Sequence, residues 1–191
     1  ASRVPEINII GQDLTGYGLD RGTKAGLEKL LAQILRRSRL TPRWFRLLYL
    51  HPARVTDSLL RLMASDPRVC RYIDLPLQHV NDRILTRMNR HTTKDGIIRL
   101  IGRVRKLLPG AAIRTAFIVG FPGETDKEFQ ELLSFIKETG FERLGVFTYS
   151  QEEGTRAAGF KGQVPDKVKQ ERFDQIMSAQ QEISRRHNAA L

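Results

Sequence analysis

The feature of this sequence that most limits its fold is a regular alternation of short apolar runs with helical segments. The runs begin roughly 30–40 residues apart, which is the length of one strand plus one helix. Several are nearly continuous in β-branched and aromatic residues, which is typical of strands buried on both faces. The five predicted strands are Val4–Ile10, Trp44–Leu50, Tyr72–Leu77, Ile113–Val119 and Leu144–Tyr149. The pattern predicts an α/β fold with a parallel sheet, either open and doubly wound or curved into a barrel.

Helices are predicted between these strands because apolar residues recur there at spacings of three and four. The stripes are Leu27, Leu30, Leu31, Ile34 and Leu35, then Ile97, Ile98, Ile101, Val104 and Leu108, then Phe129, Leu132, Leu133 and Ile136. Asn81, Thr93 and the capping box Thr125–Glu128 are predicted helix starts, and Gly140 is a predicted stop. From Asp166 onward we expect a long helix whose candidate apolar contacts are Val168, Phe173, Ile176, Met177 and Ile183.

The single cysteine and the charge balance narrow the chemistry. Cys70 is the single cysteine of the sequence, whereas a cysteine-based zinc site or an iron–sulfur cluster normally needs three or four thiolates, so this chain alone cannot build either. The formal net charge of +11 favours an acidic or polyanionic partner, although solvated helix faces account for much of such charge. No run approaches the ~20 apolar residues of a membrane helix. We expect a cytoplasmic protein that does not contact a membrane.

Polar or glycine-rich residues follow every predicted strand. Because the chemistry of parallel α/β folds lies beyond the carboxyl ends of the strands, this pattern predicts one shared site along that rim. The segments are Gly11–Asp13, His51–Pro52, Gln78–His79, Gly120–Glu124 and Tyr149–Glu153. Taken singly, each also fits ordinary turn or cap chemistry, and none of them identifies a reaction.

Three segments resemble the methylthiotransferase branch of the radical S-adenosylmethionine (SAM) enzymes: Tyr72–Asp82, Met88–Arg90 and Arg114–Thr125. Within that branch, Gln78-His79 and the segment 143–155 resemble the RimO type, which modifies an aspartate of a small-subunit ribosomal protein. Relatives that modify tRNA typically carry Gln-Ser-Gly at positions 78–80. The resemblance covers almost the whole chain.

The resemblance implies an incomplete, TIM-like (βα)₆ barrel of parallel strands, with SAM and a 4Fe–4S cluster at the strand carboxyl ends. The family's C-x₃-C-x₂-C motif follows the first barrel strand, whereas this chain begins at what resembles the second. We therefore expect residues 1–165 to form the second to sixth strands of the radical SAM core, with the first strand and cluster loop missing. Residues 166–191 would be a helix leading to an absent TRAM domain. Because the cluster ligands are not in this chain, we expect it to be catalytically inert in isolation.

The resemblance also implies a SAM site, without naming a catalytic residue or a metal ligand. The segment Gly11–Asp13 takes the place of the motif that binds the SAM amino group. The turn Val119–Gly123 would lie against the adenine, and Tyr149 would border that pocket. Gln78 and His79 would face SAM or substrate, with Arg114 and Thr115 on an adjacent inward strand. The expected cofactor-binding residues are Gln12, Asp13, Gln78, His79, Arg114, Thr115, Val119, Gly120, Phe121, Pro122, Gly123 and Tyr149.

The expected activity is addition of a methylthio group to a ribosomal-protein aspartate, with one SAM as methyl donor and another as radical source. Three alternatives stay open: a tRNA adenosine as substrate, a cluster-free module that binds a nucleotide or the ribosome, and a metal-dependent enzyme using Asp13, His51 and His79. Basic groups favour docking near ribosomal RNA. They are Arg36, Arg37, Arg39, Arg43 and Arg46, then Arg99, Arg103, Arg105 and Lys106, then Arg185, Arg186 and His187.

Overall fold

The computed structural model describes residues 4–37 and 44–190, so the predicted basic residues Arg39 and Arg43 lie outside the described residues. The strands are β1 (Glu6–Ile9), β2 (Trp44–Leu47), β3 (Tyr72–Gln78), β4 (Ala112–Val119) and β5 (Arg143–Thr148). The helices are α1 (Gly26–Arg37), α2 (Asp57–Ser65), α3 (Asp82–Arg87), α4 (Lys94–Leu107), α5 (Asp126–Thr139) and α6 (Asp166–Ala189). In this part of the chain, no helix has both the length and the apolarity needed to span a membrane.

All five predicted strands form, and they alternate with helices as the spacing predicts. The strand β1 pairs with β2 in parallel, and β4 pairs with β5 in parallel. Across the described residues, the strands make one sheet of order β1-β2 and one of order β3-β4-β5, rather than a single sheet. The parallel α/β prediction is confirmed, and the described strands do not close a barrel.

The chain divides into two compact units. The described residues of Ala1–Pro76 and Ile98–Ile113 form the first unit, in which α1 packs against α2. Leu77–Ile97 and the described residues of Arg114–Leu191 form the second, in which α6 packs against both α5 and β5. There the Phe141 ring lies edge-on to the rings of Phe117 and Phe135, each at 5.9 Å between centroids.

The expectation that the strands are buried on both faces is wrong for β1, β4 and β5. Only Val146 is buried among the six residues of β5. Every second residue of β4 is buried and the others are half-buried, so only one face of this strand enters the core. The described partners of β1 lie on one side only, in β2, and its central residues are exposed. Two predicted core residues are exposed as well, Ile98 at 47% and Met177 at 39%, because each lies off the buried stripe of its helix.

The predicted helix signals are largely confirmed. Thr125 and Glu128 form the capping box, and the Asn81 side chain accepts from the backbone amides of Arg83 and Ile84. Gly140 ends α5 in the left-handed conformation. The helix α2 was not predicted, although its start carries an ordinary signal, since the Thr56 hydroxyl accepts from the Leu59 amide at 3.0 Å.

Glu128 joins the start of α5 to α3 through a charged network. Its carboxylate accepts from Arg83 Nε at 2.6 Å and from Arg83 Nη2 at 2.5 Å. It also accepts from the backbone amide and the hydroxyl of Thr125, each at 2.8 Å. The hydrogen bonds from Arg83 hold the pKa of Glu128 down at about 2, against the opposing effect of burial.

We expect Glu128→Gln to lower the free energy of unfolding by roughly 1–3 kcal/mol at neutral pH, because the amide cannot pair with the Arg83 guanidinium. A depressed folded-state pKa gives stability that is present above the ordinary pKa of 4.5 and lost as the pH falls toward about 2. The difference between the proteins should therefore shrink over that window when measured by urea unfolding.

The control is Glu138→Gln, which neutralises an exposed carboxylate of the same helix and should change stability little. A deficit of Glu128→Gln that stays constant from pH 7 to pH 2 would contradict the ionic account of the network.

Candidate functional site

A cavity of about 410 Å³ lies in the second unit, at the carboxyl ends of its strands. Gln78 ends β3, Phe121 follows β4 and Tyr149 follows β5, and all three line this cavity. The other lining residues are Arg87, Met88, Asn89, Arg90, Ile118, Thr155, Arg156, Ala157 and Phe160. Three of the strand-end segments predicted to share a rim site therefore meet at one cavity.

One wall of the cavity is aromatic. The Phe121 ring lies edge-on to Tyr149 at 5.3 Å and to Phe160 at 6.1 Å between centroids. The Tyr149 hydroxyl is buried and has no hydrogen-bond partner among the described residues. An unpartnered buried hydroxyl is costly, so a polar ligand atom would gain by reaching it. A flat, polar heterocycle is the kind of ligand that suits such a wall.

The turn after β4 requires glycine at two positions. Gly120 has a φ of +72°, and a Cβ there would collide with the aliphatic stem of Lys169 from α6. Gly123 has a φ of +79°, and its amide donates to the Gly162 carbonyl at 2.6 Å. These contacts fix the backbone on either side of Phe121 and so fix where its ring projects.

A buried carboxylate holds this turn together. Glu124 Oε2 accepts from the backbone amides of Gly120 and Phe121, the latter at 3.1 Å. Its Oε1 makes no hydrogen bond and lies 3.4 Å from Arg172 Nη1. Arg172 also donates to Asp126 Oδ1 at 2.6 Å. Burial raises the pKa of Glu124 to about 7, outweighing the Arg172 charge and the two amide donors.

Several predicted site residues of the second unit surround the cavity without lining it. His79 is fully buried, its Nδ1 accepts from the Asn81 amide at 2.9 Å, and burial lowers its pKa to about 4. Val119 and Pro122 are buried as well. Gly120 and Gly123 act through the backbone of the turn.

Arg114 and Thr115, predicted to lie on one inward strand beside the site, lie on opposite faces of β4. Consecutive residues of a strand point to opposite faces, and Thr115 is fully buried while Arg114 is half-buried. Arg114 shares its strand face with Ile118, which lines the cavity. The Thr115 hydroxyl lies on the other face and has no hydrogen-bond partner among the described residues.

The first unit contains its own cavity, of about 600 Å³, which Gly11 and Asp13 help to line. The Asp13 carboxylate is already engaged, since it accepts from Thr15 Oγ1 at 2.5 Å and from the Gly16 amide at 3.2 Å. It is also ion-paired with Arg54. Gln12 is exposed and does not line this cavity. Asp13 therefore has the turn-capping role that the sequence left open, and its contact with SAM stays a prediction.

The described residues do not support a metal centre built from Asp13, His51 and His79. Over residues 4–37 and 44–190, no three His, Cys, Asp or Glu side chains are grouped so as to hold a metal ion. His51 Nδ1 instead accepts from the Ala53 amide at 3.3 Å, as the N-cap of a short 3₁₀ helix.

Five residues that build the cavity or its support were not predicted as site residues from the sequence: Arg87, Arg90, Phe160, Lys169 and Arg172. The segment Met88–Arg90 was noted only as part of a family motif. The residues around Arg90 give no sign that its side chain lines a cavity instead of facing solvent. Lys169 and Arg172 lie on α6 and are buried. Their burial could not be predicted, because α6 has too weak an apolar stripe to show which of its faces enters the core. Their spacing of three on a helix places them on one face, which is the one signal that the sequence offers.

The raised pKa of Glu124 has a testable consequence. A folded-state pKa above the ordinary 4.5 means that the stability contributed by the bound proton is fully present below pH 4.5 and lost as the pH rises through about 7. We expect the ¹³C resonance of the Glu124 carboxyl to titrate with a midpoint near pH 7. Glu124→Gln should remove the corresponding loss of stability between pH 4.5 and 7, and a midpoint at or below 4.5 would contradict this burial effect.

Comparison with known proteins identifies the family. The model of the radical SAM superfamily matches residues 5–136, more than half of the chain. The ribosomal protein uS12 methylthiotransferase RimO of Syntrophotalea carbinolica is 49% identical over 191 residues, covering 100% of this chain and 42% of that protein. The RimO of Heliobacterium modesticaldum is 50% identical over 181 residues, covering 95% of this chain and 39% of the relative. The chain thus spans about two fifths of the length of these curated relatives.

Solved structures show the same fold at low identity. Coproporphyrinogen III oxidase (HemN) from Escherichia coli, described as a radical SAM enzyme, matches with a TM-score of 0.66 at 17% identity, over 92% of this chain and 39% of that one. The radical SAM methyltransferase TsrM from Kitasatospora setae, with cobalamin and a [4Fe-4S] cluster bound, matches with a TM-score of 0.58 at 18% identity, over 75% and 27% of the two chains. The partial TIM-like α/β fold is therefore confirmed, and the chain belongs to the radical SAM superfamily.

Proposed function

We propose that this chain is the SAM-binding part of a methylthiotransferase that acts on a ribosomal protein. The relatives that match 95–100% of its length at 49–50% identity are named as uS12 methylthiotransferases. The observation that carries the proposal is the cavity at the ends of β3, β4 and β5, with its aromatic wall and its unpartnered hydroxyl. We also propose a cytoplasmic location, supported by the ribosomal protein that the relatives' names give as substrate.

The cavity residues fit the adenosyl part of SAM. Adenine is a flat heterocycle with ring nitrogens and an amino group, which suits the edge-on pair Phe121 and Tyr149. The Tyr149 hydroxyl, unpartnered among the described residues, is a donor for such a nitrogen. Lys169 Nζ lies 5.7 Å from the Tyr149 ring, and its stem packs on Gly120. The ligand would therefore meet a wall that α6 already holds in place.

The residues of this chain do not fit the other group that the superfamily implies. A 4Fe–4S cluster needs three or four thiolates, and the 191 residues contain one cysteine. Cys70 is half-buried, and burial raises its pKa, which disfavours the thiolate. When bound, SAM supplies a methyl group and, on reduction by a cluster, hydrogen-abstracting power. The role proposed for this chain is to bind and orient the nucleoside and to exclude water from it.

Binding of S-adenosylhomocysteine by the 191-residue chain tests the cavity. We expect Tyr149→Phe to weaken binding about 5–10-fold in isothermal titration calorimetry, because one hydrogen bond of ~1–1.5 kcal/mol is lost. Phe121→Ala should weaken it at least as much, since it removes the ring that packs on Tyr149.

Phe147→Ala is the matched control, because this ring on β5 is 59% exposed and does not line the cavity. The control should bind the nucleoside as the parent does. Failure of the parent chain to bind S-adenosylhomocysteine, or equal binding by Tyr149→Phe, would refute the assignment of the cavity.

The substrate is tested on the full gene product that contains this chain. After reconstitution with iron and sulfide, and addition of SAM and the reductant dithionite, we expect mass spectrometry to find a methylthio group on ribosomal protein uS12. Modification of tRNA adenosine instead would establish the alternative left open by the sequence. Absence of SAM cleavage in the reconstituted protein would favour the non-catalytic module.

We also propose contact with ribosomal RNA, carried by exposed cations. Phosphate contacts need exposed charges that are free of ion pairs. Five of the predicted basic residues are exposed and form no ion pair with the described residues: Arg36, Arg37, Arg99, Lys106 and Arg186. Arg185 is exposed as well, and it lies 3.8 Å from Glu182. Others are engaged within the protein. Arg46 is paired with Glu6 and Arg103 with Asp57, each within 3.0 Å, so these two contribute little to such a surface.

A further inference from the structure

The cavity also carries positive charge beside its aromatic rings. Three arginines line the cavity, Arg87, Arg90 and Arg156, and no aspartate or glutamate is among its lining residues. Arg87 ends α3, and Arg90 follows three residues later. A cavity lined in this way by one sign of charge concentrates ligands of the opposite sign.

Arg87 and Arg90 differ from two other half-buried arginines of this chain, whose guanidiniums are paired with carboxylates. Arg46 lies 2.7 Å from Glu6, and Arg68 lies 2.6 Å from Asp66. Neither Arg87 nor Arg90 forms an ion pair with any residue in the described part of the chain. Arg87 stacks at 4.7 Å over the Phe160 ring, and its Nε is buried with no hydrogen-bond partner there.

The lack of a carboxylate partner for Arg87 and Arg90 costs the folded protein free energy. Removing a guanidinium from water costs free energy unless an anion or several acceptors compensate for the lost hydration. Burial lowers the pKa of Arg90, with no neighbouring carboxylate to oppose that effect. The free protein thus carries a cost at these arginines that a bound anion would remove.

The backbone beside the arginines is also unusual. Gln78 has a φ of +70° and Asn89 a φ of +57°, and both side chains line the cavity. A positive φ is rare for glutamine, and such conformations persist where the surrounding structure holds them for a function. The Gln78 amide can hydrogen-bond an anionic group that the arginines hold.

We propose that Arg87 and Arg90 bind a carboxylate group in this cavity, with Gln78 as an additional hydrogen-bond donor. Arginine is suited to this because its planar fork can donate two parallel hydrogen bonds to one carboxylate. The inference rests on the proposed function, which offers two carriers of that chemistry: the amino-acid end of SAM and an acidic side chain of the protein substrate. Arg156 is exposed and adds long-range attraction.

The two carriers are separated by two pairs of probes added to the 191-residue chain. S-adenosylhomocysteine and 5′-methylthioadenosine share the adenosine thioether, and only the former has a carboxylate. N-acetyl-aspartate N-methylamide and its asparagine analogue differ only in the side-chain charge. Affinities are measured by calorimetry for the nucleosides and by NMR titration for the amino-acid amides.

We expect the parent to prefer the carboxylate member of one pair by about 10-fold or more, and Arg87→Gln and Arg90→Gln to abolish that preference. The pair that shows the effect identifies the carrier. Failure of the parent to bind either nucleoside would refute the proposed function instead. No preference in either pair, or a preference that survives both substitutions, overturns the proposal.

Thermal unfolding without ligand gives a second, independent readout. Arg90→Gln removes an uncompensated charge, so its Tm should rise or stay equal while carboxylate binding is lost. A purely structural arginine would show the reverse, with a lower Tm and unchanged binding, and that result would overturn the proposal. Arg186→Gln is the control, because it removes an exposed cation of α6 outside the cavity and should alter neither property.

Discussion

The candidate site depends on one buried carboxylate, that of Glu124. It accepts from the amides of Gly120 and Phe121 and contacts Arg172 of α6, so the β4–α5 turn is attached to a helix that begins more than forty residues later. Because α6 also covers Gly120 with Lys169, the turn cannot shift without disturbing the helix. The Phe121 ring, and with it the aromatic wall of the cavity, is positioned by this arrangement.

Local signals in the sequence were enough to predict most of the secondary structure. All five strands and the capping box at Thr125 follow from patterns that involve neighbours within a few residues. The burial of β1, β4 and β5 was predicted less well, because a run of apolar residues does not reveal how many layers cover a strand. The prediction of a shared rim agrees with the structure for β3, β4 and β5, since residues at the carboxyl ends of these three strands line one cavity.

The features of the site that could not be predicted are of two kinds. Some depend on contacts between residues far apart in the sequence, and others on arginines that have no carboxylate partner among the described residues. Arg172 reads as one more cation of a polar helix, and only the fold shows that Glu124 and Asp126 lie within its reach. Arg87 and Arg90 look no different from Arg83 in the sequence, yet Arg83 is paired with Glu128. Family resemblance did not supply this distinction either. It placed both Arg114 and Thr115 on one inward strand without saying which side chain faces the site, and the pleat of β4 directs them to opposite faces.

A crystal structure of the 191-residue chain with bound S-adenosylhomocysteine tests the central claim most directly. The account predicts the adenine against Phe121 and Tyr149, with the Tyr149 hydroxyl hydrogen-bonded to the nucleoside. It would be contradicted by a nucleoside seated instead in the cavity of the first unit, against Gly11 and the turn that follows it.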